Sequence, residues 1–165
     1  FAWPLVRQKM KEILDIYPRV KGVQVLNDMG DYRVSQYAGN WSPDSTARRR
    51  AILERLSSWA PFSNSSPVEG ITKAIGRFYA ADKKISLYVF GDDFSGGMMQ
   101  NVVDTIRNRN AAGSGRNSRV RIHTVGFPVL LAQPGAAQNA ARFAALMRRL
   151  AEDNNGSFVG LPALR

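Results

Sequence analysis

Lys84-Ile85-Ser86-Leu87-Tyr88-Val89-Phe90-Gly91-Asp92-Asp93-Phe94-Ser95-Gly96-Gly97 is the stretch whose reading decides the fold. Seven residues rich in β-branched and aromatic side chains run into an acidic, glycine-containing turn, and an apolar-periodic segment follows from Met98. The pattern predicts strand, loop and helix. In an open parallel sheet this junction puts the loop at the carboxyl end of a strand, where α/β folds bind ligands. Asp92 and Asp93 therefore stand where recognition or chemistry is expected. The competing reading is that they only shape the turn and cap the next helix.

Downstream, Met98 to Asn110 has helical spacing through Met99, Val102, Val103 and Ile106, with Gly96 and Gly97 opening it. Ala111 to Ser118, with its glycines and serines, reads as a surface loop. Arg119 to Gly126 alternates as a strand with one better-buried face, and His123, the only histidine, is expected to be structural or at the surface. The apolar loop Val129-Leu130-Leu131 packs under the last helix or forms a contact surface. Gln138 to Asn154 is the final helix, ending at a left-handed cap in Asn154-Asn155-Gly156 before a short strand, Ser157 to Leu161.

Upstream, Ser66-Pro67 with Glu69 has the spacing of an N-cap, a first-turn proline and a capping-box acid, opening a helix that ends near Ala81. Ala47 to Ala60 is helical, with Ser42, Asp44 or Ser45 as its cap. Pro4 to Tyr17 is an amphipathic helix stopped by Pro18. Between the last two, Val23 to Tyr37 reads as a hairpin about the turn Asn27 to Asp31, and Gly39 to Pro43 as loop. Trp41 and Trp59 are expected in the core. Helices alternating with strands argue a parallel or mixed sheet, and neither an internal repeat nor a domain boundary is visible.

The 165 residues suffice for one domain with a core that needs no staples. The absence of cysteine rules out disulfides, thiolate metal sites and a cysteine nucleophile, and leaves the compartment open. No apolar run approaches the ~20 residues of a membrane span. Phe1-Ala2-Trp3-Pro4 is neither an initiator methionine nor a signal peptide, so a longer parent protein is expected. A formal net charge of +10 suits nucleic acid, anionic lipid or acidic proteins, but the basic residues are scattered. A solvated basic surface and a polyanion site both remain open.

In this order the segments resemble a von Willebrand factor A (VWA) domain of the bacterial type. Lys84 to Ser95 resembles the family's strand with its Leu-Thr-Asp-Gly-like turn, and Arg119 to Phe127 its Ile-His-Thr-Ile-Gly-Phe strand. Arg149 to Val159 resembles the last helix end and closing strand, and Ser63 to Ile75 the Gly-Gly-Thr-x-Pro turn and the helix it opens. The resemblance implies a Rossmann-like, doubly wound, mostly parallel sheet with one antiparallel edge strand and helices on both faces. It also implies a metal-ion-dependent adhesion site, in which three loops hold a hard divalent cation, usually magnesium, for a partner's carboxylate. On that pattern Asp92 matches the third-loop aspartate and Ser65 the second-loop threonine, with Ser66 and Asp93 as neighbouring registers. Gly91, Asp93 and Ser65 depart from the usual threonine, glycine and threonine. The first loop, Asp-x-Ser-x-Ser, has no counterpart: Asn27 to Tyr32 lacks both serines. The better placement makes Pro4 to Tyr17 the family's first helix, Val23 to Leu26 its second strand and Val34 to Tyr37 its edge strand. The first strand and its metal motif are then expected upstream of Phe1, and something is expected to fill the slot they leave.

The resemblance implies a non-enzymatic protein-binding module of the adhesion or scaffold type, using magnesium only if an upstream loop completes the site, and leaning towards the bacterial cell envelope or periplasm. The alternative is a basic α/β domain binding a polyanion such as nucleic acid. A hydrolase or phosphoryl-transfer enzyme built on Asp92 or Asp93 is disfavoured: the chain has neither a Walker-type glycine loop nor a Gly-x-Ser-x-Gly elbow.

Overall fold

The computed structural model describes residues 3–58, 66–95, 97–112, 117–127 and 135–161. Their contacts gather into two compact units, a division for which the composition gives no signal. One holds Phe1–Asn27 and Asp31–Phe62, the other Asp28–Gly30 and Ser63–Arg165. The architecture is mixed α/β and Rossmann-like, with a three-stranded parallel sheet and a separate antiparallel pair.

In the first unit, α1 (Trp3–Ile16) packs on α2 (Thr46–Leu56), and Leu14, Ile52 and Leu56 are buried. Of the three capping candidates for α2, Ser45 does the work: its Oγ accepts from the Arg48 N–H at 3.0 Å. Asp44 is used elsewhere. It takes two bonds of 2.7 Å from the Arg49 guanidinium and accepts the Val20 N–H at 3.3 Å. Arg49 also donates to the carbonyls of Leu14 (2.6 Å) and Tyr17 (2.7 Å) at the C-terminal end of α1. That ion pair lowers the Asp44 pKa and raises that of Arg49.

The hairpin needs correction. The turn itself is as expected: Asn27 and Asp31 bond through backbone and side chains, and Leu26 bridges Tyr32. Val34 to Tyr37, however, is no edge strand. Ser35–Tyr37 is a single 3-10 turn with Val34 buried beneath it. The Gln24 amide donates to the carbonyls of Tyr37 (2.9 Å) and Asn40 (3.0 Å), taking acceptors that a returning strand would offer. The antiparallel partner comes from the stretch expected to be loop: β1 (Gly22–Val23) pairs with β2 (Ser42–Pro43). Trp41 is half-buried beside this pair; Trp59 lies outside the described residues, as do Gly96 and Val129 to Leu131.

In the second unit, β3 (Ser86–Gly91), β4 (Arg121–Gly126) and β5 (Phe158–Gly160) form a parallel sheet in that order, with Ser86 opposite Arg121 and Thr124 opposite Phe158. Around it run α3 (Val68–Phe78), α4 (Met99–Asn110) and α5 (Ala136–Asp153). One core joins Ile71 and Ile75 of α3, Val102, Val103 and Ile106 of α4, and Leu146, Met147 and Leu150 of α5 to Ile122 of β4. Leu87 and Val89, the alternate residues of β3, pack against the same core. Thr124 on that face donates its hydroxyl to the Met147 carbonyl at 2.8 Å, so a buried polar side chain is satisfied.

Helix α3 departs from the expected capping box. Pro67 stands at its N-cap without a side-chain bond, and the Ser66 hydroxyl accepts the Val68 N–H at a long 3.5 Å. The start of α3 is held instead by the Asp28 carbonyl, which accepts the Gly70 N–H at 2.7 Å. The helix also stops earlier than Ala81: Tyr79 already has extended ψ.

Candidate recognition loop at the carboxyl end of β3

The sheet delivers β3 into a loop fixed from below and from above. At its last position, Gly91, a methyl group would stand 2.9 Å from the Phe143 ring of α5. A side chain here would require the Phe143 ring to shift, because the ring occupies the space it would need. Three residues on, Phe94 turns into the core and is 1% exposed, which anchors the loop by burial of a whole aromatic side chain. Above it the Arg142 guanidinium lies 5.4 Å from the Phe94 ring centroid and donates to the Gly97 carbonyl at 2.5 Å. Gly97 has φ of +61°, a left-handed turn into α4.

Between these anchors the two aspartates diverge. Asp93 turns inward and its Oδ1 accepts the Phe94 N–H at 2.7 Å, so here the turn-shaping reading holds. Asp92 is exposed, and no cation or donor engages it among the described residues. Neither aspartate caps α4, whose N-cap is Met98 without a side-chain bond.

Of the other expected metal ligands, Ser65 lies outside the described residues, and Ser66 is half-buried at the start of α3. Among the described residues no three histidine, aspartate or glutamate side chains gather to hold a metal ion. Magnesium demands about six oxygens in near-octahedral array, and one free carboxylate beside one already bonded does not provide it. The described residues do not make a magnesium cage by themselves.

His123 is structural, stacked on Tyr88 at 4.7 Å between ring centroids. Its Nδ1 accepts the Ser157 N–H at 3.2 Å and lies 2.9 Å from the Ser157 hydroxyl, which places the proton of the neutral ring on Nε2. Burial, and then the charge of Arg121, lower its pKa. The native state thus resists a proton that the unfolded chain accepts near pH 6.5. The His123 contribution to stability is therefore full above about pH 6.5 and declines as the pH falls below it, by at most about 1.4 kcal/mol per pH unit. Urea midpoints from pH 8 to 5 should fall more steeply for the native chain than for His123→Gln. Parallel curves would show that His123 is not coupled to folding.

The sequence showed the strand, the turn and the aspartates, but not the anchors. Phe94, an apolar residue inside a polar loop, was the available signal for one of them; Arg142 gave none, because nothing in a basic helix face marks which arginine reaches a loop.

No protein-family model matches the chain, and no curated protein matches it. Among solved structures, the conserved hypothetical protein BatB from Bacteroides thetaiotaomicron is similar, with a TM-score of 0.51 and 14% identity, over 99% of this chain and 79% of that one. At such identity the likeness concerns the fold. It supports the Rossmann-like α/β architecture and leaves function to the chemistry of the loop.

Proposed function

We propose that this chain is a non-enzymatic, VWA-like protein-binding module that presents the Asp92 loop to a protein partner. The observation that carries the reading is an exposed, unengaged carboxylate on a loop pinned by Phe94 and Arg142. The loop that carries it is held by these contacts, so less backbone entropy is lost when a partner docks. Asp92 then serves as the anionic contact for a donor or cation on the partner. Magnesium joins the site only where Ser65 and an Asp-x-Ser-x-Ser loop from outside these residues complete the ligand set. The bacterial cell envelope or periplasm is the compartment this reading favours.

A photo-crosslinking residue placed at Ser95, one turn from Asp92, should trap a discrete protein adduct in extracts of the source cells. The same residue at Arg50 should not. Asp92→Ala should weaken that adduct at least tenfold and leave the melting temperature within about 2 °C, as befits an exposed side chain. Equal adducts from both positions, or an adduct indifferent to Asp92→Ala, would remove the loop from consideration.

A further inference from the structure

The opposite end of the parallel sheet carries a second feature. Residues 107–121, Arg-Asn-Arg-Asn-Ala-Ala-Gly-Ser-Gly-Arg-Asn-Ser-Arg-Val-Arg, contain five arginines and no acid. Arg107 is neutralised, since it bonds Asp153 at 2.6 Å and Asp104 at 3.3 Å. Arg109, Arg119 and Arg121 are exposed and have no carboxylate within 4 Å among the described residues. Lys84 is likewise exposed, with no ion pair among the described residues.

These four cations belong to the amino end of the sheet: Arg109 and Arg119 by the end of α3, Lys84 and Arg121 at the starts of β3 and β4. The Arg109 guanidinium lies over Gly76, where a methyl group would collide with its Nη2, one turn before Tyr79 at the end of α3. Arg119 lies 5.3 Å from the Tyr79 ring centroid, and its Nε donates to the Ala111 carbonyl at 3.0 Å. That bond uses Nε and leaves the terminal nitrogens without a carboxylate partner among the described residues. Arg121 opens β4 opposite Ser86, and its N–H donates to the Ile85 carbonyl at 3.0 Å, so it begins its strand beside Lys84.

We infer that Lys84, Arg109, Arg119 and Arg121, at the amino end of the sheet with the Tyr79 ring under Arg119, bind the phosphate backbone of a single-stranded nucleic acid. Three of the four cations are guanidinium groups, which take a phosphate through two donors at once, where an ammonium acts as a point charge. Tyr79, 37% exposed and stacked by an arginine, offers a ring edge to a base. A membrane surface fits less well, because the other exposed large apolar residues of this unit are elsewhere: Met29 beside the start of α3, Met98 before α4 and Val159 in β5. The surface is independent of the Asp92 loop, which lies at the carboxyl end.

The test is fluorescence anisotropy of a labelled short oligothymidylate at several salt concentrations. The native chain should bind with a slope of log affinity on log salt of about −3, from four phosphates at roughly 0.7 each. The triple variant Lys84→Gln, Arg109→Gln, Arg121→Gln keeps Arg119 on Tyr79; it should lose at least tenfold in affinity and flatten the slope by about two. A control with the same change in net charge, Arg19→Gln, Lys21→Gln, Arg50→Gln, should lose less than threefold, and melting curves establish that both variants fold. No binding by the native chain, equal losses in the two variants, or preference for polyglutamate, anionic vesicles or duplex over the single strand would each overturn the inference.

Discussion

Gly156→Ala should destabilise this protein severely, though it adds only a single methyl group. The residues after α5 lie against β4: the Ile122 N–H donates to the Asn154 carbonyl at 3.2 Å and the Thr124 N–H to the Ser157 carbonyl at 2.9 Å. Between these two bonds a Cβ on Gly156 would stand 1.7 Å from the Ile122 carbonyl oxygen and 2.4 Å from its carbon. Both are backbone atoms in a paired strand, so no rotamer change relieves the clash. The sheet must part from the loop, at a cost of about 3–5 kcal/mol. A fall in melting temperature of roughly 10 °C or more follows for a chain of this size. Gly97→Ala is the control. It too places a methyl on a loop glycine, but with φ of +61° and no atom within 4 Å, so it costs only about 1 kcal/mol of backbone strain. Equal effects of the two substitutions would mean that the β4 contact does not constrain position 156.

Asn110→Ala is expected to cost about 3 kcal/mol, far more than truncating an asparagine at a helix end usually does. Asn110 is 1% exposed, and all of its side-chain polarity is used. Its Oδ1 accepts the Val120 N–H at 2.9 Å; its Nδ2 donates to the Val120 carbonyl and to Asn154 Oδ1, both at 2.8 Å. Asn154, also buried, donates to the Leu150 carbonyl at 2.7 Å. Two amides thus join the end of α4, the approach to β4 and the end of α5, in surroundings without water to replace a lost bond. Urea unfolding should register the loss as a lower midpoint with an unchanged slope. The double variant with Asn154→Ala should lose less than the sum of the single losses, because both singles break the bond between them. Strict additivity would show the two amides acting independently.

Legibility in the sequence followed the physics of each signal. The segment from Lys84 to Met98 was readable because a run of β-branched and aromatic residues, an acidic turn and a helical period each argue the same thing. The α4 and α5 boundaries came out within one or two residues for a similar reason. The hairpin failed because weak alternation from Tyr32 to Tyr37 says nothing of the Gln24 amide, which captures the carbonyls of the returning segment. Asn154-Asn155-Gly156 was legible as a helix stop, and Asn155 does adopt φ of +59°. Its larger role was not legible: Asn154 as a buried bracket and Gly156 as a close approach depend on β4, some thirty residues away. At the candidate loop the aspartates were visible, but which of them faces inward depends on Phe94 being drawn into the core.

The all-parallel connectivity of the second unit also governs how it must fold. Every ladder in this sheet joins residues about 35 apart in sequence, Ser86 to Arg121 and Thr124 to Phe158, so no strand pair can form as a local hairpin. Loop closure precedes any reward from pairing, and β3 waits for its neighbour while already extended and apolar. Unfinished molecules therefore carry Leu87-Tyr88-Val89-Phe90, a short uncharged stretch of high strand propensity through which copies can join one another. Lys83 and Lys84 precede it by two residues, and Asp92 and Asp93 follow it after one. Whatever else these four charges do in the finished protein, they are gatekeepers for the nascent one, since stacking identical segments would bring like charges together at both ends.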